Sequence, residues 1–191
     1  MNKRNLLLLG FAVVVAAQLA VPAWLIIERE WTLREGQVFK FKTQPIDPAD
    51  AFRGRYVWLN LDPNEVKAPN ANQWSYGQRA YAVLATDTNG FALIKSLEHE
   101  KPASETAVKV RVRWPDSRKG VVHIEWPGLD RYYMTEKKAP AAETAYREHN
   151  RRTNQNCHVT VRVLGTRAVL ENLYIEDQPI QAWLKAHPAG K

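Results

Sequence analysis

A chain of 191 residues holds one compact domain and a small appendage, and leaves no room for two full domains. With 45% hydrophobic residues, seven Trp and seven Tyr against 25% charged residues, it can bury a core, which excludes a disordered chain. The net charge of +7 is spread so that no Lys/Arg run exceeds two residues, which excludes a polybasic tail; attraction to phosphates, anionic headgroups or acidic polymers and a merely solvated basic surface both fit it. The single Cys157 excludes an internal disulfide and has no Cys/His cluster of zinc spacing around it.

The first segment, "MNKRNLLLLGFAVVVAAQLAVPAWLIIERE", opens on Lys3 and Arg4 and runs apolar from Leu6 to Ile27, interrupted by Gln18. That run covers about 33 Å as a helix, enough for a bilayer core. The cationic start predicts a cytoplasmic N-terminus and a domain on the far side. Val21-Pro22-Ala23 offers a signal-peptide cleavage site, but the apolar run continues through Trp24 to Ile27, so an uncleaved anchor is expected. Residues 1–28 are read as cytoplasmic stub and anchor and 29–191 as one domain. Gln18 is read either as facing another transmembrane helix or as a tolerated polar residue on a lone one.

Beyond the anchor, period-two patterns dominate. "GQVFKFKT" sets Phe39 and Phe41 against Val38, Lys40 and Lys42; "RYVWLNL" sets Val57, Leu59 and Leu61 against Tyr56, Trp58 and Asn60. "RAYAVLATDTNGFALIKSL" predicts a hairpin about Asp87–Gly90. "TAVKVRVRW" alternates Val108, Val110, Val112 and Trp114 with Lys109, Arg111 and Arg113, "GVVHIEW" follows, and "CHVTVRVLGTRAVLENLYIED" predicts a second hairpin around Leu164 to Arg167. The expected fold is mainly β, one antiparallel sandwich or small barrel after a transmembrane helix. "PAAETAYREHNRR" at 140–152 predicts a short surface helix, and 62–74 is the most loop-like stretch.

The stretch "PIDPADAFRGRYVWLNLD" at 45–62 combines Pro45 and Pro48, capping-spaced Asp47 and Asp50, and Gly54 before a strand. This predicts a rigid corner that sets Arg53 and Arg55 beside Tyr56 and Trp58. Together with the preceding membrane helix it resembles the GDYXXLXY family of bacterial membrane-anchored proteins, whose Val/Ile-Asp-Pro turn leads into a Gly-Asp-Tyr-x-x-Leu-x-Tyr strand. The resemblance extends through "RAYAVLATDTNGFA", "GLDRYYMTE" and "VTVRVLGTRAVLENLYIEDQPI". Pro45, Asp47, Pro48, Arg53, Gly54, Tyr56, Leu59 and Glu136 match; Arg55 stands where the motif has Asp, and Leu61 where it has the last Tyr. The resemblance implies a bacterial inner-membrane protein with a periplasmic or other extracytoplasmic domain. It also implies a partner class, because such proteins usually occur beside polytopic inner-membrane proteins. It implies no reaction.

The residues themselves argue against catalysis. No Ser lies before Ser75, which removes the Ser/Lys mechanism of signal peptidases from the corner. Ser75, Ser96, Ser104 and Ser117 have no nucleophile-elbow context, and the five His are scattered. Cys157 and His158, adjacent on a strand, point to opposite faces. No catalytic residue, metal or cofactor is expected, and nucleic acid does not suit an extracytoplasmic domain. The stripe Lys109, Arg111 and Arg113 suits a phosphate-rich ligand or anionic lipid, or the wet face of a strand. The leading expectation is a non-enzymatic accessory subunit that contacts its partner through Asp47, Arg53, Gly54, Arg55, Tyr56 and Trp58, aromatics and Arg being favoured anchors. The alternative is a ligand-binding domain or hydrolase with a polar cleft around Asp47, Arg53, Arg55 and Glu136.

Overall fold

The computed structural model describes residues 3–45, 56–151 and 153–187. Helix α1 (Lys3–Glu35) contains the whole apolar run but does not stop with it. It continues past Glu28 until Gly36, whose amide donates to the Thr32 carbonyl at 3.0 Å. At about 1.5 Å per residue α1 is about 50 Å long, and it is long and apolar enough to cross a membrane, with none of its apolar window buried in the protein.

Gly36 feeds directly into β1 (Gln37–Gln44). Phe39, Phe41 and Thr43 point inward and Lys40 and Lys42 outward, as the alternation predicts. "RYVWLNL" also buries Val57, Leu59 and Leu61, yet it is not one strand. β2 (Tyr56–Trp58) pairs with β9 (Arg131–Tyr133), and β3 (Asn60–Asp62) pairs with β1. Between them the Leu59 amide donates to the Asp130 carbonyl at 2.8 Å, so this amide stays paired where the chain changes partner. The loop-like stretch 62–74 contributes β4 (Glu65–Lys67) and a 3-10 turn at Ala71–Gln73.

β5 (Arg79–Thr86) and β6 (Ala92–Glu98) form the predicted hairpin. Asp87 closes its turn by accepting from the amides of Asn89 (2.8 Å) and Phe91 (2.7 Å). β7 (Ala107–Asp116) and β8 (Val121–Glu125) complete a five-stranded antiparallel sheet in the order β4-β8-β7-β5-β6. It curls until its edge strands β4 and β6 approach, giving a nearly closed, barrel-like sheet. Val108, Val110 and Val112 are buried as expected, whereas Trp114 is 46% exposed. A register shift between Val112 and Trp114 against β8 breaks the alternation there and turns Trp114 outward.

The second five-stranded sheet has the order β14-β13-β12-β1-β3, with β12 (Cys157–Leu164), β13 (Arg167–Ile175) and β14 (Gln178–Pro179). β12 and β13 make the second predicted hairpin, and a bridge from Lys40 to Phe91 links the two sheets. Helix α2 (Ala139–His149) presents a charged outer face, as a surface helix should. Its inner face buries Ala139, Ala142, Ala145 and Tyr146 against the core. A two-stranded ribbon, β10 (Asn150–Arg151) with β11 (Asn154–Gln155), and the terminal helix α3 (Ile180–Ala186), anchored by buried Ile180, close that end.

Candidate functional site

Three features stand out, and the first lies in the helix. Pro22 sits inside α1 and has no N–H, so the carbonyl of Gln18, four residues earlier, loses its helical donor. The Gln18 side-chain amide and its orphaned carbonyl therefore fall together in an otherwise apolar span. Polar groups in hydrocarbon are costly unless a neighbour satisfies them.

The second feature is the join between helix and domain. Glu28 forms an ion pair with Arg167 at the start of β13. One turn on, Thr32 is fully buried and its hydroxyl donates to the Glu28 carbonyl at 2.9 Å. Arg162 on β12 donates to the Gly36 carbonyl at 3.2 Å while its guanidinium holds Glu171 at 2.9 Å. A Cβ on Gly36 would lie 2.4 Å from the Thr32 carbonyl oxygen and 3.1 Å from Arg162 Cβ, so only glycine lets the helix end this close to the sheet. Helix and domain are thereby joined without a linker.

The third feature is the ribbon β2–β9. Tyr56 stands opposite Tyr133 and Trp58 opposite Arg131. The Arg131 guanidinium lies over both Tyr56 (5.3 Å) and Trp58 (5.1 Å), and Tyr133 meets Tyr56 edge-on at 5.6 Å. Hydrogen bonding with Tyr133, then the charge of Asp130, raises the Arg131 pKa further, so the cation is permanent. Tyr133 is 62% exposed. Aromatic rings preordered around an arginine are the composition of interface anchors, because little side-chain freedom remains to be lost on binding. Sequence reasoning singled out Tyr56 and Trp58 but not Arg131 and Tyr133, which only the pairing of β2 with β9 brings alongside.

Of the other expected site residues, Asp47, Arg53, Gly54 and Arg55 lie outside the described residues, as does the corner they were expected to form. Glu136 is exposed in the turn between β9 and α2. Leu61, which replaces the motif's last Tyr, is 3% exposed and faces the core. Lys109, Arg111 and Arg113 share the outer face of β7. Cys157 is buried beneath α2, and burial pushes its thiol pKa up to about 12, which keeps it protonated and unreactive. Among the described residues no three His, Cys, Asp or Glu side chains gather as a metal site.

The sequence model of the GDYXXLXY protein family matches residues 18–173. No curated protein and no solved structure matches the chain. The match begins at Gln18, passes through the helix-to-strand join and both five-stranded sheets, and ends within β13; with its apolar N-terminal helix the chain fits a membrane-anchored protein, and it belongs to the GDYXXLXY family.

Proposed function

We propose that the protein is a single-pass, non-enzymatic accessory subunit of an inner-membrane complex. Its N-terminus is cytoplasmic, its β domain extracytoplasmic, and its partner a polytopic membrane protein. The observation that carries this reading is the polar pair at Gln18, side chain and orphaned carbonyl, in a helix with no partner helix in its own chain among the described residues. A second protein's helix is the natural source of the missing donor, since lipid tails have none.

Two further features support it. Lys3 and Arg4 at the start of α1 favour a cytoplasmic N-terminus. The linkerless join holds the β2–β9 ribbon at a fixed pose relative to the membrane, so one partner engages both helix and ribbon with little ordering cost.

The test is photocrosslinking of the intact protein in native membranes from a reactive residue at position 133, compared between wild type and Gln18→Leu. A discrete adduct with a polytopic membrane protein, lost or strongly reduced in Q18L, is the expected result. Adducts that are absent, or unchanged by Q18L, defeat the reading.

A further inference from the structure

The outer face of β5, β7 and β8 carries a charge arrangement that the fold does not need. Arg79 and Arg111 stand directly opposite each other across β5 and β7, a placement that repels and costs stability. Arg111 also faces Glu125 on β8, but their closest approach is 3.6 Å, outside hydrogen-bond range. Arg113 joins them around a cavity of about 470 Å³. Among the residues lining this cavity three arginines stand against a single carboxylate, Glu125. Arginine repulsion of this kind is relieved when an anion bridges the cations, and the guanidinium fork suits a carboxylate or a phosphate.

Beside the arginines the cavity is flanked by Tyr76, which at 84% is more exposed than any other large hydrophobic side chain described. Its turn is nevertheless firmly held. The Gln78 side chain accepts from the Ser75 amide at 2.9 Å, and the Gly77 amide donates to the Val112 carbonyl at 2.8 Å from a φ of +75° that glycine permits. Gln78 also bonds His99 at 3.1 Å, and His99 stacks on buried Trp74 at 3.9 Å. A tyrosine displayed on a pinned turn is a flat apolar surface offered to something other than this chain.

The ligand class follows from what adjoins. Arg113 and Glu125 also line a neighbouring cavity of about 340 Å³, where Asn60, Asn64 and Asp130 are found. Ionised carboxylates only accept hydrogen bonds, so Glu125 beside the arginines, and the acceptor oxygens that Asp130 keeps alongside its 3.3 Å pairing with Arg131, serve a ligand that brings hydroxyl donors as well as an anion. We propose that this face binds an anionic saccharide. Its carboxylate or phosphate sits on Arg79 and Arg111, its ring packs on Tyr76, and its hydroxyls reach the Asn60, Asn64 and Asp130 side. Trp58 of the ribbon also lines the second cavity, but neither Gln18 nor Tyr133 takes part, so the variants that test this inference and those that test the docking reading are separate.

The experiment is calorimetric titration of the full-length protein in detergent micelles with glucuronate, glucose-6-phosphate, glucose and inorganic phosphate. At least one of the two anionic sugars should bind tenfold or more tightly than either glucose or phosphate. Arg111→Gln should weaken that binding at least tenfold, and Tyr76→Ala should reduce it to the level of phosphate alone. Arg79→Thr removes the like-charge pair, so this variant should lose affinity while unfolding at no lower temperature than wild type, which separates lost binding from lost fold. Glucuronate and glucose-6-phosphate both binding no better than phosphate would mean a simple anion site. That result, no binding by any of the four probes, or indifference to R111Q overturns the proposal.

Discussion

β12 and β7 are both central strands of five-stranded antiparallel sheets, yet they spend their second faces differently. Along β12, Cys157, Val159, Val161 and Val163 enter the core. The opposite side is also covered: His158 stacks on Tyr174 at 4.8 Å with Phe91 edge-on at 5.9 Å, and Arg162 is held by Glu171 and the end of α1. Along β7 only the valine face is covered, and Lys109, Arg111 and Arg113 stand in solvent. A strand covered on both faces is committed to holding the molecule together. One covered on a single face leaves the other available for recognition.

The sharpest way to break this contrast is to empty a core position shared with β12. Phe41 on β1 is fully buried, opposite Val159 and 5.1 Å from the Trp126 ring. Phe41→Ala should cost about 3–5 kcal/mol in denaturant unfolding. Next comes the join: Gly36→Ala forces the helix away from β12 and should cost about 1–3 kcal/mol, read as a lower unfolding temperature.

The third effect is a pH dependence confined to the covered sheet. Burial lowers the His158 pKa below its ordinary 6.5; Asp177 raises it in part and Lys40 lowers it. The unfolded chain therefore takes up this proton more readily than the native one. The associated stability is present above about pH 6.5 and is lost as the pH falls below it. Unfolding curves at pH 7 and pH 5 should differ less for His158→Phe, which keeps the stack on Tyr174, than for wild type. The smallest effect belongs to the open sheet, where Arg79→Thr should raise stability by about 0.5 kcal/mol. A loss above about 1 kcal/mol would mean that Arg79 supports the fold.

Legibility in the sequence followed the same division. β1, β7 and the β5–β6 hairpin were readable because each alternates over one buried face, and Asp87 and Gly90 mark the turn. Trp114 was misassigned to the valine face because a register shift leaves no trace in alternation. The run from Tyr56 to Leu61 kept its inward residues but not its continuity, since a change of pairing partner at Leu59 preserves side-chain direction. The inner face of α2 was obscured by small residues: Ala139, Ala142 and Ala145 look neutral in a helix reckoned by polarity, but fit where a backbone must approach closely. Arg131 and Tyr133 gave no local signal, being joined to Tyr56 and Trp58 only across a long-range pairing. The chemistry of Gln18 was half visible; the effect of Pro22 on its carbonyl is fixed by the four-residue spacing alone.

The absence of a linker between α1 and the domain gives the molecule a compass bearing. Gln18, Leu25 and Thr32 recur at intervals of seven, which on an α-helix drift by about 20° each, so Gln18 lies within roughly 40° of the azimuth of Thr32. Thr32 is the residue turned into the β12–β13 side. A neighbour gripping Gln18 in the bilayer would approach on that side, with the hairpin overhead, and any swivel of the helix would swing the whole domain with it like a vane on its shaft.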